Sequence, residues 1–239
     1  MSVLLVVLHA AQAAASPALP FGVGERFDYG AKWNFLTVGK ASMEIAGIDT
    51  VRDRETYHLR YTMEASIPFY SLVSTLESWS TTDSLFSLRF QQNNKEKERQ
   101  FFRRFEIFPD SAFYRQIEPQ PADSQPTVAE PLDDASVMYF IRRSVLEVGK
   151  TYRFSRYFRA DRNPILLSVL KRETMELPDG TKVPCLVIKP SVGERGLFGP
   201  RADARLWLSD DARRIPVQIR STQPYGTITL RLQKMSIPG

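Results

Sequence analysis

Few residues of this chain can carry bond-making chemistry. Among 239 residues there are two histidines and one cysteine. His9 falls in an apolar N-terminal stretch that reads as a targeting segment, which leaves His58 and Cys185. A zinc or copper site draws several imidazole or thiolate donors together, and this chain cannot supply them, so the expectation is no metal and no cofactor. A serine or cysteine nucleophile would have to use His58 as its base. His58 alternates with Arg60, Thr62 and Glu64 on the polar side of an expected strand, the setting of an exposed structural histidine. Cys185 lies in the apolar run 183–188, where a thiol acts as a small buried hydrophobe. The paired acids Asp133-Asp134 and Asp210-Asp211 are sequence neighbours, explained by a helix cap and a turn. Glycoside hydrolysis needs two carboxylates facing each other across a substrate. No glycine-rich phosphate loop is present. No catalytic residue is assigned, and the chain is read as a non-enzyme.

Binding chemistry is better represented. Between Ala204 and Leu232 three runs alternate apolar and polar residues with the period of a strand. Leu206 and Leu208, then Ile215, Val217 and Ile219, then Ile228, Leu230 and Leu232 share one side, with turns at Asp210-Asp211-Ala212 and Gln223-Pro224-Tyr225-Gly226. The opposite side carries Arg205, Trp207, Arg214, Gln218, Arg220, Thr229 and Arg231. Guanidiniums make bidentate contacts to phosphate and carboxylate groups, and an indole stacks on rings. Arg205, Trp207, Arg220 and Arg231 are therefore the candidate ligand-binding residues, for an anionic group. Neutralisation of these arginines by nearby Asp and Glu is the competing expectation.

Further elements must position that face. Phe27, Tyr29, Ala31 and Trp33 alternate, as do Ala41, Met43 and Ile45, giving two strands joined near Thr37 to Gly39. Tyr57 to Ala65 is a third strand. Leu76 to Phe90 reads as a hairpin turning at Thr82-Asp83, with Trp79 placed before its turn as Trp207 is, a hint of two related halves. The charged tract from Asn93 suits an exposed loop or edge before a strand at Phe102 to Phe108. Glu118 to Pro131, with four prolines, is a loop or linker. Asp133 to Ser136 supplies N-cap candidates for a helix spanning Asp134 to Val145, with Arg142-Arg143 near its end as the helix dipole favours. Met138, Ile141 and Val145 lie near one side of it, so it is expected to cover a sheet. Tyr152 to Phe158, Ile165 to Leu177 and Val183 to Lys189 are strands, the last two joined by the turn Pro178-Asp179-Gly180. Leu197 and Phe198, amid the glycines of 190–200, either touch a ligand or membrane or fold back on the core.

An apolar content of 43% is ample for a core, and a net charge of +5 permits anionic partners without demanding them. No helix-turn-helix, zinc-finger or RNA-binding aromatic pattern accompanies the charge, so nucleic acid is not an expected partner. Val3 to Leu8 is a short apolar run, followed by Ala11-Gln12-Ala13 and Ala13-Ala14-Ala15, both of the type cut by signal peptidases. The basic residues usual before such a run are absent. The run is far shorter than the roughly 20 residues that span a bilayer. The expectation is a signal peptide at 1–15, a mature start near Ala14 or Ser16, a single β-rich domain at 16–239, a periplasmic or secreted location and no transmembrane span. The fold class is mainly β: a curved antiparallel sheet or half-barrel-like meanders with one covering helix.

The pieces GERFDYGAKWNFLTVGKASMEI, DDASVMYFIRR, LEVGKTY and GLFGPRADARLWLSDDARRIPVQI, in this order, resemble the bacterial exported family grouped as domain of unknown function 3108. The resemblance covers nearly the whole chain after the apolar run. It implies a secreted, mostly β envelope protein, akin in architecture to the half-barrels of periplasmic lipoprotein carriers, and transfers no catalytic residue. Three functions remain open: a module that binds or carries an anionic amphiphile or glycan in the bacterial envelope, a structural or assembly protein with an envelope protein partner, for which an exposed Trp among arginines would serve as a hot spot, and a sugar-active enzyme whose carboxylates the sequence does not identify.

Overall fold

The computed structural model describes residues 19–67, 70–193, 198–199, 201–224 and 226–238. The expected signal segment and its cleavage positions lie outside these residues, as does Leu197. Fourteen strands are formed: β1 (Arg26–Trp33), β2 (Leu36–Val51), β3 (Arg54–Ile67), β4 (Tyr70–Thr81), β5 (Ser87–Glu96), β6 (Arg99–Phe108), β7 (Phe113–Glu118), β8 (Gln125–Pro126), β9 (Thr151–Phe154), β10 (Ile165–Glu176), β11 (Lys182–Ser191), β12 (Asp203–Ser209), β13 (Pro216–Gln223) and β14 (Gly226–Ser236). They make one antiparallel sheet in the order β8-β7-β6-β5-β4-β3-β2-β1-β14-β13-β12-β11-β10-β9. Two meanders, β1 to β8 and β9 to β14, are thus welded where the first strand meets the last, with Phe27 opposite Met235 and Ala31 opposite Leu230.

The sheet is curved and open. Its edges, β8 and β9, are short, and Pro126 lacks a donor for a further strand, which blunts the edge against pairing with other chains. Residues 127–132 strap the two edge regions together: the Thr127 N–H donates to the Ala112 carbonyl, its hydroxyl to the Phe158 carbonyl, and the Phe158 N–H to the Leu132 carbonyl.

The helix α1 (Ser136–Arg143) is shorter than the expected Asp134 to Val145. Every residue from Ser136 to Arg142 is buried, while Val145 is 80% exposed. The helix covers the sheet from within the curve, with Arg143 as its exposed end. Tyr139 meets Phe21 edge-on at 5.0 Å and Tyr61 at 6.3 Å, and Phe140 meets Phe154 at 4.9 Å. The carboxylate of Asp133 caps the helix, accepting the N–H groups of Ala135 and Ser136, both at 2.9 Å.

Other boundaries shift for local reasons. The first hairpin turns at Asn34 and Phe35, not at 37–39, because Asn34 adopts a positive φ of 54° and its side-chain oxygen accepts the Thr227 N–H. The tract at Asn93 is no loop: β5 runs to Glu96 and returns as β6 from Arg99. Phe198 folds back against the core.

Candidate functional site

The four proposed binding residues lie on β12, β13 and β14, and a fault in β10 decides what covers them. Val169 pairs with Ile188 and Lys171 with Val187, leaving Leu170 as an extra residue. Such a bulge bends its strand and sharpens the twist. β11 follows β12 only over Cys185 to Ile188, whereas its pairing with β10 continues to Lys182. Beyond the bulge the hairpin lies across the face that carries Trp207: Arg231 on β14 donates from Nη2 to the Glu176 carbonyl on β10, though three strands separate them in the sheet. Trp207 is accordingly 7% exposed. The expected exposed tryptophan, and with it the exposed hot spot, is corrected by this covering hairpin.

Under the hairpin's flank lies a hollow of about 310 Å³ lined by Leu170, Lys171, Glu173, Val187, Asp203, Arg205, Trp207 and Arg220. Three of the four candidates therefore meet in one concavity, and Arg231 does not line it. Most of its charges are committed. Lys171 pairs with Glu173 at 2.8 Å, Arg205 pairs with Asp203, and Asp203 also faces Lys189 at 3.4 Å. Lys171, with a contribution from the Trp207 indole, holds the Glu173 carboxyl below the usual carboxylate range. Against the upward push of desolvation, Arg205 and then Lys189 hold Asp203 low as well. Arg220 stands apart: it is exposed, it has no ion-pair or hydrogen-bond partner among the described residues, and it lies directly across the ladder from Arg205. Like charges in register destabilise a sheet. Beside it, the buried Trp207 Nε1 lacks hydrogen-bond geometry to any acceptor among the described residues, although Glu173 is near enough to feel it. The hollow thus offers a free guanidinium, an indole and an apolar wall of Val187 and Leu170, which suits an anionic group attached to a small ring or short apolar stem.

Sequence reasoning missed Leu170, Lys171, Glu173, Val187 and Asp203. Lys171 and Glu173 were readable as an outward alternation, but only the bulge at Leu170, which has no sequence marker, turns them toward Trp207.

The remaining chemistry-capable residues are engaged elsewhere. His58 stacks on Trp79 at 4.5 Å and bonds Glu77 at 2.9 Å, so it is half-buried rather than freely exposed. That bond, with help from Gln91 and Arg60, holds the Glu77 carboxyl down to about 2. Burial pushes the Cys185 thiol up to about 12, which leaves it unreactive. Asp134 pairs with Arg162, Asp210 with Arg172 and Arg214, and Asp211 with Arg213. Among the described residues no group of His, Cys, Asp and Glu is arranged to hold a metal ion, and no helix is long and apolar enough to cross a membrane.

An open antiparallel sheet wrapped round a buried helix places the chain among β-barrel-like proteins. It belongs to the family described as protein of unknown function DUF3108, which it matches over residues 28–233, as its motifs implied. A β-barrel-like protein of domain of unknown function DUF1849 from Brucella abortus shares the fold, with a TM-score of 0.57 and 11% identity over 90% of this chain and 98% of that one. A Parabacteroides distasonis protein provisionally described as a lipoprotein aligns with a TM-score of 0.33 at 8% identity, over 92% of this chain and 100% of that one. No curated protein matches the chain. Neither the family match nor the Brucella abortus structure indicates an enzymatic family.

Proposed function

We propose that the chain is an exported, non-enzymatic protein of the bacterial envelope, working as a single domain after loss of residues 1–15, and that it binds the anionic head of an amphiphile or glycan in the hollow beside Trp207. The observation that carries this reading is Arg220, an uncommitted guanidinium set against Arg205 at the rim of a concavity whose other charges are paired. Its volume, at the lower end of small-molecule sites, suits a head group and leaves an acyl chain outside. Arg231, tied to the Glu176 carbonyl, belongs to the support of the covering hairpin.

Arg220→Gln is the direct test. Removing one of two apposed cations leaves stability unchanged or raised by a few tenths of a kcal/mol, while binding of short-chain phosphatidylglycerol or of an acidic disaccharide falls about tenfold or more, the value of one charge-assisted contact. Arg231→Gln instead lowers the melting temperature. Calorimetric titration and thermal melts on both variants check this; a destabilised Arg220→Gln protein with unaltered binding overturns the assignment.

A further inference from the structure

The antiparallel register puts the β1–β2, β3–β4, β5–β6 and β13–β14 turns at one end of the sheet and the β2–β3, β4–β5, β6–β7 and β12–β13 turns at the other. The two ends differ in kind. Among the described residues, the aromatic side chains that are more than a third exposed are Phe35 at 84%, Phe101 at 47% and Phe102, and all three belong to the first end, together with exposed Leu36 and Val73. Phe101 and Phe102 follow each other on β6 and so point to opposite faces of the β5–β6 hairpin, which leaves no single protein surface to bury both. The cations toward the tip of that hairpin, Lys95, Lys97, Arg99 and Arg103, have no ion-pair partner among the described residues, whereas Arg89 and Arg104 farther in pair with Glu106; the acids beside the tip cations are Glu96 and Glu98. At the opposite end Arg52 pairs with Glu106, Arg54 with Asp110 and Arg213 with Asp211, and the cations there without an ion pair among the described residues, Arg115 and Lys182, have no exposed aromatic beside them. Exposed aliphatic side chains elsewhere, such as Ile48 and Val145, have no aromatic ring beside them that is more than a third exposed.

We propose that the end bearing Phe35, Phe101 and Phe102 docks on an anionic lipid bilayer. Aromatic rings settle at the depth of the head groups, and basic side chains around them gain from the negative surface. The hairpin reaches past the packed core with rings on both of its faces, a shape that enters a fluid interface more readily than a fixed protein pocket. Unpaired lysines and arginines select anionic over zwitterionic lipid. This surface is distinct from the hollow at Trp207, so each can fail without the other.

Sedimentation with vesicles of phosphatidylglycerol and phosphatidylcholine, against phosphatidylcholine alone, tests it. The protein binds the anionic vesicles and releases them at high salt. Replacing Phe35, Phe101 and Phe102 together with Ser lowers binding at least tenfold, Lys95, Lys97, Arg99 and Arg103 to Gln lowers it by about fivefold for each cation removed, and Arg54→Gln, at the opposite end, leaves it within about twofold. All the replaced side chains are solvent-facing, and a melting curve verifies that each variant is folded. Orientation is read separately: Cys185 is buried, so a polarity-sensitive dye can be attached at Ser71→Cys near the first end or Ala212→Cys at the other. The dye at 71 shifts to the blue on anionic vesicles and the dye at 212 does not. Absence of binding to anionic vesicles, binding that survives both sets of substitutions, or a shift confined to position 212 overturns the proposal.

Discussion

Replacing Arg142 with Met lowers the unfolding free energy by about 3–5 kcal/mol, the range for breaking a buried ion pair from one side. Arg142 is wholly buried in the last turn of α1 and each of its three nitrogens donates: Nη1 and Nη2 to the two oxygens of the buried Glu25, Nη2 also to the carbonyls of Pro20 and Arg213, and Nε to the Arg214 carbonyl. The guanidinium also lies 5.2 Å from the Phe27 ring centre and 5.3 Å from that of Phe21. Methionine fills much of the volume but leaves an unpaired buried carboxyl and three carbonyls without donors. Lys at this position keeps the charge yet cannot imitate the fork, so Arg142→Lys loses stability as well, to a smaller extent. Burial already pushes the Glu25 carboxyl up, and Arg142 is what opposes the push. Without it the folded-state value rises further, so the deficit of Arg142→Met grows as pH rises above the ordinary carboxylate range, from the native folded-state value toward the variant's. Pairing Arg142→Met with Glu25→Leu removes the orphaned charge, and the double variant is more stable than the sum of the single losses predicts. Urea melts of the four proteins measure this coupling; strict additivity would mean that the pair is not the anchor.

What the sequence made legible was local. Period-two alternation located most strands, and the turn residues at Asp210 to Ala212 and Pro178 to Gly180 placed hairpins within a residue or two, because side-chain direction and turn chemistry are set by near neighbours. The weld between β1 and β14 and the ion pair between Glu25 and Arg142, 117 residues apart, have no local signal. Nor does the bulge at Leu170, and so the face bearing Trp207 read as open when a hairpin covers it. Arg205, Trp207 and Arg220 were correctly placed on one face by alternation alone; Arg231 shares that face but is drawn to the Glu176 carbonyl. In the tract from Asn93 the charges obscure the alternation, so an exposed loop and an edge read alike there, although the charges mark a hairpin that projects beyond the core.

The motifs that pointed to the family converge in space. Glu25 and Tyr29 come from the opening motif, Arg142 from the helix motif, and Arg213, Arg214 and Pro216 from the segment that follows Trp207. Arg142 binds the first and third groups together, and the Tyr29 hydroxyl donates to the Pro216 carbonyl at 2.9 Å. These residues hold the helix inside the sheet and the first strand against the last meander. A family signature made of such residues specifies a fold, which is why it carries over no chemistry, and why the binding residues have to be sought on the outer face.

The second large effect is expected at Asp133, where its sign depends on pH. This carboxyl is fully buried, and desolvation raises it to about 6 despite the hydrogen bonds from the Ser78 hydroxyl and the Ser136 N–H that favour the charged form. A group raised in the folded state contributes its stabilisation below the unfolded value, near 3.8, and loses it as pH climbs through about 6. A rise of about two units corresponds to roughly 3 kcal/mol lost between acid and neutral pH. Asp133→Asn keeps an oxygen for the N–H groups of Ala135 and Ser136. Its new amide N–H₂ donates to Ser78, whose own proton turns toward Ser80 at 2.9 Å in the chain of hydroxyls that continues to Ser87 and Ser136. The Asn protein therefore loses this pH dependence and is at least as stable as the native one near neutrality. Asp133→Ala strips the acceptor from two backbone donors and a hydroxyl, and is destabilised by about 3 kcal/mol or more throughout the pH range. Melts of the native protein and both variants from about pH 4 to about pH 8 isolate the contribution of Asp133 as a difference, free of the other titrating groups. A native-minus-Asn difference that stays flat across that range would mean Asp133 is already ionised at acid pH and that its hydroxyl partners outweigh its burial.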